Sequence, residues 1–190
     1  MNEAQRLAEF SSIMNPVGIS VEFTNWLIEN GFFTAPASSK YHGAVEGGLY
    51  EHSKMVTQAL LDMSLKLGIK WERQESPIII GMFHDLCKID QYKKIIDKPG
   101  VEMMGKDEPE GEIFHYEYNK STLLKGHGEK SIMLLCRWME LTEEEILCIR
   151  YHMGAYQTDD WNEYDLAIKK YATVLYTHTA DMIASKVLGV

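Results

Sequence analysis

The chain has 190 residues, of which 45% are hydrophobic and 25% charged, and a net charge of −9. That is enough chain for one domain with a sizeable apolar core that needs no disulfides. The acidic balance, with a pI near 5.3, excludes a protein that coats long nucleic acid through its phosphates. It leaves room for a small phosphorylated substrate beside bound cations.

Cys87, Cys136 and Cys148 show no CxxC spacing and read as reduced core thiols. No apolar run approaches the ~18 residues that span a bilayer. The start, Met1-Asn2-Glu3-Ala4-Gln5, is polar and acidic, unlike a signal peptide. These features predict a cytoplasmic protein with no membrane partner.

Leu7, Phe10, Ile13 and Met14 recur at helical spacing over Asn2 to Met14, and Pro16 and Gly18 break the pattern. Ser20 is placed to cap a second helix with Phe23, Trp26, Leu27 and Ile28 on its apolar face, ended by Asn30-Gly31. Residues 1–41 thus form an N-terminal helical extension. A non-periodic loop runs from Phe32 to Gly48; loops this long inside compact domains are often functional.

Leu49 to Leu67 predicts a helix whose inward stripe is His52, Val56, Ala59, Leu60, Met63 and Leu67. The next helix is predicted from about Glu75 to Lys88. Its apolar run, Pro77 to Phe83, ends in His84-Asp85, a pair with no use in a buried helix unless it meets a partner.

Residues 91–119 change character. Tyr92 to Ile96 and Glu112 to Tyr118 are rich in β-branched and aromatic residues, and Pro99-Gly100 and Pro109-Glu110-Gly111 are turn signals. They predict a small β-hairpin or three-stranded flap inserted between helices. Helices are then expected over Lys130 to Met139 and from Thr142, a capping-box residue with Glu145, to about Tyr151. A last long helix is expected over Tyr164 to Leu188, with Tyr171, Val174, Leu175, His178, Asp181, Met182 and Ser185 facing inward. The fold class read from this order is an all-α bundle with a small β-hairpin insertion, in a single domain spanning 1–190.

His52, His84, Asp85, His127, His152 and Asp181 each lie on an inward helical face or at a helix end. A helical bundle brings such positions together, and bundles commonly hold metal between facing helices. Imidazole and carboxylate ligands suit Mn, Fe, Ni, Co or Zn rather than Ca, and the lack of cysteine ligands argues against a structural zinc site.

The order His52, His84-Asp85, His127, His152, Asp181 resembles the HD-domain superfamily of metal-dependent phosphohydrolases. Gly47-Gly48-Leu49-Tyr50-Glu51-His52 is most like the HD domains of bacterial 3′→5′ exoribonucleases, and His127 and His152 are similar to the extra histidines of two-metal HD proteins. The resemblance covers roughly Gly47 to Ser185. It implies an HD-type helical bundle with one or two divalent transition-metal ions. The first ion would be held by His52, His84, Asp85 and Asp181. Asp85 would bridge to a second held by His127 and His152, and a hydroxide between them would be the nucleophile.

The same resemblance implies hydrolysis of a phosphoester in a nucleotide or short oligonucleotide, with Asp85 and Lys88 catalytic and Lys88 touching a phosphate oxygen. Lys130, at a helix start, is a second candidate phosphate contact. Two rivals stay open: a di-iron oxygenase using this ligand set, and a nucleotide-sensing module without turnover.

The remaining polar residues read more plainly. His178 is expected to support a ligand rather than to be one. His42 and His115 read as solvated histidines, Glu51 as pointing away from the site, and Arg150 as either mouth or surface. Tyr92, Tyr116, Tyr118 and Trp161 are candidates to stack on a base. The 91–119 insertion and the Tyr41–Gly48 loop are expected to wall the pocket.

Overall fold

The computed structural model describes residues 1–41, 43–97, 113–156 and 161–190. Its elements are α1 (Glu3–Met14), α2 (Val21–Glu29), α3 (Gly48–Leu67), α4 (Ser76–Phe83), a 3₁₀ turn (Leu86–Asp90), β1 (Tyr92–Ile96), β2 (Phe114–Tyr118), α5 (Gly128–Leu135), α6 (Glu143–Tyr151), a short 3₁₀ turn (Gly154–Tyr156), α7 (Trp161–Lys170), α8 (Thr173–Met182) and a π-helical turn (Ile183–Leu188). The chain is mostly helical with one small antiparallel sheet, as its sequence predicts.

The caps are those expected. The Ser20 hydroxyl accepts from the Phe23 amide, and Thr142 and Glu145 form a reciprocal capping box, each such cap being worth about 1 kcal/mol. α1 and α2 join the core through Phe10 and Phe23, whose rings both meet Phe83 of α4. Phe10 meets Phe32, Phe33 and Phe83 edge-on, a geometry that favours aromatic pairs beyond simple area burial. α4 is buried along its whole length, which explains its uninterrupted apolar run. α3 packs against α4 on one side and α8 on another, while α6 packs on α8 and α5.

Two predicted helices are broken. The helix expected to reach Lys88 stops at Phe83; His84 is its C-cap and Asp85 leaves helical geometry with φ −102° and ψ 18°. The chain then tightens into a 3₁₀ turn in which the Lys88 amide donates to the Asp85 carbonyl. Lys88 therefore lies in this turn rather than on the predicted helix, and its ammonium pairs with Asp85.

The long last helix is also two, separated at Tyr171-Ala172, where the Tyr171 hydroxyl donates to Glu72 and Glu143. Leu67 and Leu175, both expected inward, are exposed. α5 starts two residues earlier than Lys130 and ends at Leu135. The hairpin forms with Tyr92 opposite Tyr118 and Ile96 opposite Phe114. The turn signals at Pro99-Gly100 and Pro109-Glu110-Gly111, like His42, lie outside the described residues.

Two glycines set the helix spacing that the site needs. A Cβ at Gly81 would lie 2.5 Å from the Thr57 Cα, so α3 and α4 touch backbone to backbone there. A Cβ at Gly128 would lie 2.5 Å from the Ile149 carbonyl, which brings the start of α5 onto α6. The first contact seats His52 near His84. The second seats His127 near His152.

Candidate metal centre

His84 and His152 are the C-caps of α4 and α6. Each ring is held by its own helix: Nδ1–H donates to the carbonyl three residues earlier, Gly81 at 2.9 Å for His84 and Ile149 at 2.7 Å for His152. With Nδ1 carrying the proton, Nε2 presents a lone pair, the usual arrangement for a metal-ligating histidine. His52 reaches inward from α3, its Nδ1–H donating to the Val190 main-chain oxygen at 3.0 Å. His127, at the start of α5, has Nδ1 3.4 Å from Cys87 Sγ.

These four rings converge on the Asp85 carboxylate, itself only 2% exposed. On one side, Asp85 Oδ2 lies 3.5 Å from both His52 Nε2 and His84 Nε2. His52 Nε2 also lies 3.2 Å from His84 Nε2 and 3.1 Å from Asp181 Oδ1. On the other side, Asp85 Oδ1 lies 2.7 Å from His127 Nε2 and 3.4 Å from His152 Nε2. All six residues expected to be ligands are thus gathered at one place.

Both sides fit a cation. Ligand atoms about 2.1 Å from a shared ion are separated by roughly 3.0–3.4 Å at octahedral to tetrahedral angles, close to the spacings on the Oδ2 side. On the Oδ1 side, Asp85 Oδ1, His127 Nε2 and His152 Nε2 are buried with no hydrogen-bond partner. Leaving such an atom unsatisfied costs about 1–3 kcal/mol, and one cation would satisfy all three. His52, His84 and Asp85 group closely enough to hold an ion, as do Asp85, Cys87 and His127.

The electrostatics favour neutral imidazole at His84 and His127 beside an ionised Asp85. Burial pushes His84 down to about 3, so its ring stays neutral. Burial also lowers His127. At His152 the same burial is outweighed by Asp85, and the pKa rises. Burial would raise Asp85, but the Lys88 ammonium beside it holds it well below the usual carboxylate range. Asp181 is lowered too, its contact with His52 overcoming its desolvation. Lys88 Nζ sits 2.6 Å from Asp85 Oδ2 and supplies the compensating positive charge, its own pKa raised against burial by that carboxylate.

A cleft of about 480 Å³ opens onto the cluster, with Asp85, His127 and Asp181 at its floor and Tyr92, Tyr118 and Lys186 among its walls. Tyr118 is 63% exposed at this position. Tyr116 is buried instead, and Trp161 packs on Tyr164 away from the cleft; neither lines it, so two of the four candidate stacking residues are removed. The hairpin does wall the cleft, as expected. Among the described residues of the opposite loop, Ala37 and Ser38 line it, and Tyr41 and residues 43–48 do not.

Lys130 is not at the Asp85 cluster. Its ammonium binds the Asp90 carboxylate beside a second hollow of about 260 Å³, which also includes Lys125 and Thr122 and adjoins the cleft at His127 and Tyr118. His178 donates from Nδ1 to the His152 carbonyl at 2.8 Å while lining the cleft, in keeping with a supporting role. Glu51 pairs with Lys54 and faces away. His115 is an exposed hairpin residue between Asp97 and Glu117. Arg150 bridges to Glu129 and Glu163 on the surface.

Cys87 was not legible as a site residue. Burial pushes its thiol up to about 12, so it meets His127 as S–H or as a neutral acceptor. The only sequence signal is its place two residues after Asp85. Among the described residues, no helix is long and apolar enough to cross a membrane. Compared with family models, curated proteins and solved structures, the chain has no significant match.

Proposed function

We propose that the chain is a metal-dependent phosphohydrolase that cleaves a phosphoester in a nucleotide or short oligonucleotide. The observation that carries this reading is the Asp85 carboxylate, buried between two pairs of imidazole Nε2 atoms at the floor of a cleft. His52, His84, Asp85 and Asp181 would hold one divalent transition-metal ion, and Asp85, His127 and His152 a second. Bound there, such ions lower the pKa of water toward neutrality and offset phosphoryl charge.

The chain's own residues supply the rest. Lys88 and Lys186 offset Asp85 and Asp181 in the cleft lining, so bound cations would tip its charge toward a phosphate over a neutral ester. Tyr118, with Tyr92 edge-on at 5.4 Å between ring centroids, offers an aromatic face for a base. The volume, about 480 Å³, is within the range of small-molecule sites and suits a nucleotide better than a duplex.

The test is metal analysis of the purified protein followed by a panel of phosphomonoesters, phosphodiesters and short oligonucleotides with added Mn²⁺. Mn²⁺-dependent release of phosphate or nucleotide supports the reading. Metal-loaded protein that turns over none of them, while consuming O₂ with reduced iron bound, would replace it with oxygenase chemistry.

A further inference from the structure

The four imidazoles around Asp85 are not oriented alike. His84 and His152 find their Nδ1 acceptors in their own helices, three residues back; folding of α4 or α6 alone presets them. His52 finds its acceptor 138 residues away, at Val190. The path to that acceptor starts at Asp181, the ligand candidate on α8. After Met182 the helix widens into the π turn Ile183–Leu188, which packs on α3, the helix that carries His52. π turns inside helices recur at functional sites. Gly189 then takes a left-handed conformation, φ +76°, and reverses the chain. The Val190 amide donates to the Ala184 carbonyl at 3.1 Å, and its main-chain oxygen turns back under His52.

We propose that the main-chain oxygen of Val190 is a positioning group for His52. The Gly189-Val190 segment would latch the His52 ring with Nδ1–H toward the main chain and Nε2 toward Asp85 and Asp181. Acceptors of this kind fix both the tautomer and the ring orientation of a metal-binding histidine, and their loss typically costs 10–100-fold in metal affinity. The latch rests on the metal-centre reading above. It adds that the segment following α8 contributes to the site through its backbone, in a position that no side-chain pattern marks.

Gly189 makes the latch testable without crowding. A Cβ there meets no atom within 4 Å, so a substitution crowds no neighbour, although proline also removes the Gly189 amide that donates to the Ala184 carbonyl. Gly189→Pro fixes φ near −65° and sends the Val190 oxygen elsewhere. Deletion of residues 189–190 removes it. Val190→Ala keeps it and alters only side-chain packing.

The experiment is calorimetric titration of the metal-stripped full chain and these three variants with Zn²⁺, beside thermal melts. We expect the deletion and Gly189→Pro to weaken the tighter Zn²⁺ site by ~10–100-fold with little change in melting of the metal-stripped protein. Val190→Ala should stay close to wild type. A deletion variant that folds and binds Zn²⁺ as tightly as wild type overturns the latch alone. Wild type that takes up no Zn²⁺ overturns the metal reading and the latch with it. If neither backbone variant folds, the imidazole ¹⁵N spectrum of Zn²⁺-loaded wild type decides. His52 protonated at Nδ1 supports the latch, and His52 protonated at Nε2 overturns it.

Discussion

The two oxygens of Asp85 face differently built surroundings. Oδ2 meets His52, His84 and, through His52, Asp181, and also carries the Lys88 ammonium. Both histidines there have main-chain oxygens on Nδ1. Oδ1 meets His127 and His152, where all the facing atoms lack a hydrogen-bond partner and one ring leans on a thiol rather than a carbonyl. The Oδ2 side is more fully tied to the backbone and more closed, whereas His127 borders both hollows. The difference teaches that one carboxylate can face a backbone-anchored pair of imidazoles on one side and a pair with partnerless Nε2 atoms on the other.

The largest expected effect comes from removing a ligand on the closed side. His84→Ala should abolish metal binding and phosphoester turnover by more than the ~100-fold that loss of a supporting contact costs. His152→Ala should leave one ion per chain. Elemental analysis of the two variants separates them; equal metal content in both would erase the asymmetry.

Next are the glycines that bring each pair together. Gly128→Ala sets a methyl 2.5 Å from the Ile149 carbonyl, and Gly81→Ala sets one 2.5 Å from the Thr57 Cα. Each should destabilise by about 1–3 kcal/mol through overpacking. Each should also lower metal content on its own side: Gly128→Ala at His127 and His152, Gly81→Ala at His52 and His84. Chemical denaturation and metal titration of both variants measure these effects.

Acidification should sharpen the same contrast. A metal needs neutral imidazole, so affinity falls as pH drops through a ligand's pKa. That pKa is raised at His152 by Asp85 and pushed down to about 3 at His84 by burial. Protons therefore compete first at His152, although its Oδ1-side neighbour His127 is lowered by burial. Metal stoichiometry followed from about pH 8 to about pH 4 should fall in two steps, the Oδ1 ion leaving first; a single step, or the opposite order in the His84 and His152 variants, would count against the assignment.

The smallest effect is at the thiol. Cys87→Ala removes the group beside His127 Nδ1 and should weaken the second ion by up to ~10-fold. Cys87→Ser, which keeps an acceptor, should weaken it less. Competition titration with a chromogenic chelator resolves that difference.

Much of this site was legible in the sequence because helix periodicity fixes direction. His52 belongs to the stripe of Val56 and Leu60, and adjacent His84-Asp85 ends a run with no polar partner of its own. Capping residues marked α2 and α6 because their hydrogen bonds are local. The break after Phe83 was not legible: no Gly or Pro stands there, and the helix stops where Asp85 turns to reach Lys88 and the histidines of α5 and α6. The break at Tyr171 has the same character, with the ring hydroxyl tied to Glu72 and Glu143 from elsewhere in the fold. Cys87 and Val190 were hidden for a related reason. Each touches an imidazole through packing of distant segments, and neither residue type announces that contact.

The central claim is that Asp85 joins the two histidine pairs through bound metal. Its most direct test is metal content and Mn²⁺-dependent phosphoester turnover of Asp85→Ala beside wild type. The account predicts metal-bound, active wild type and a folded variant that has lost both properties. A variant that keeps its metal and its activity would contradict it.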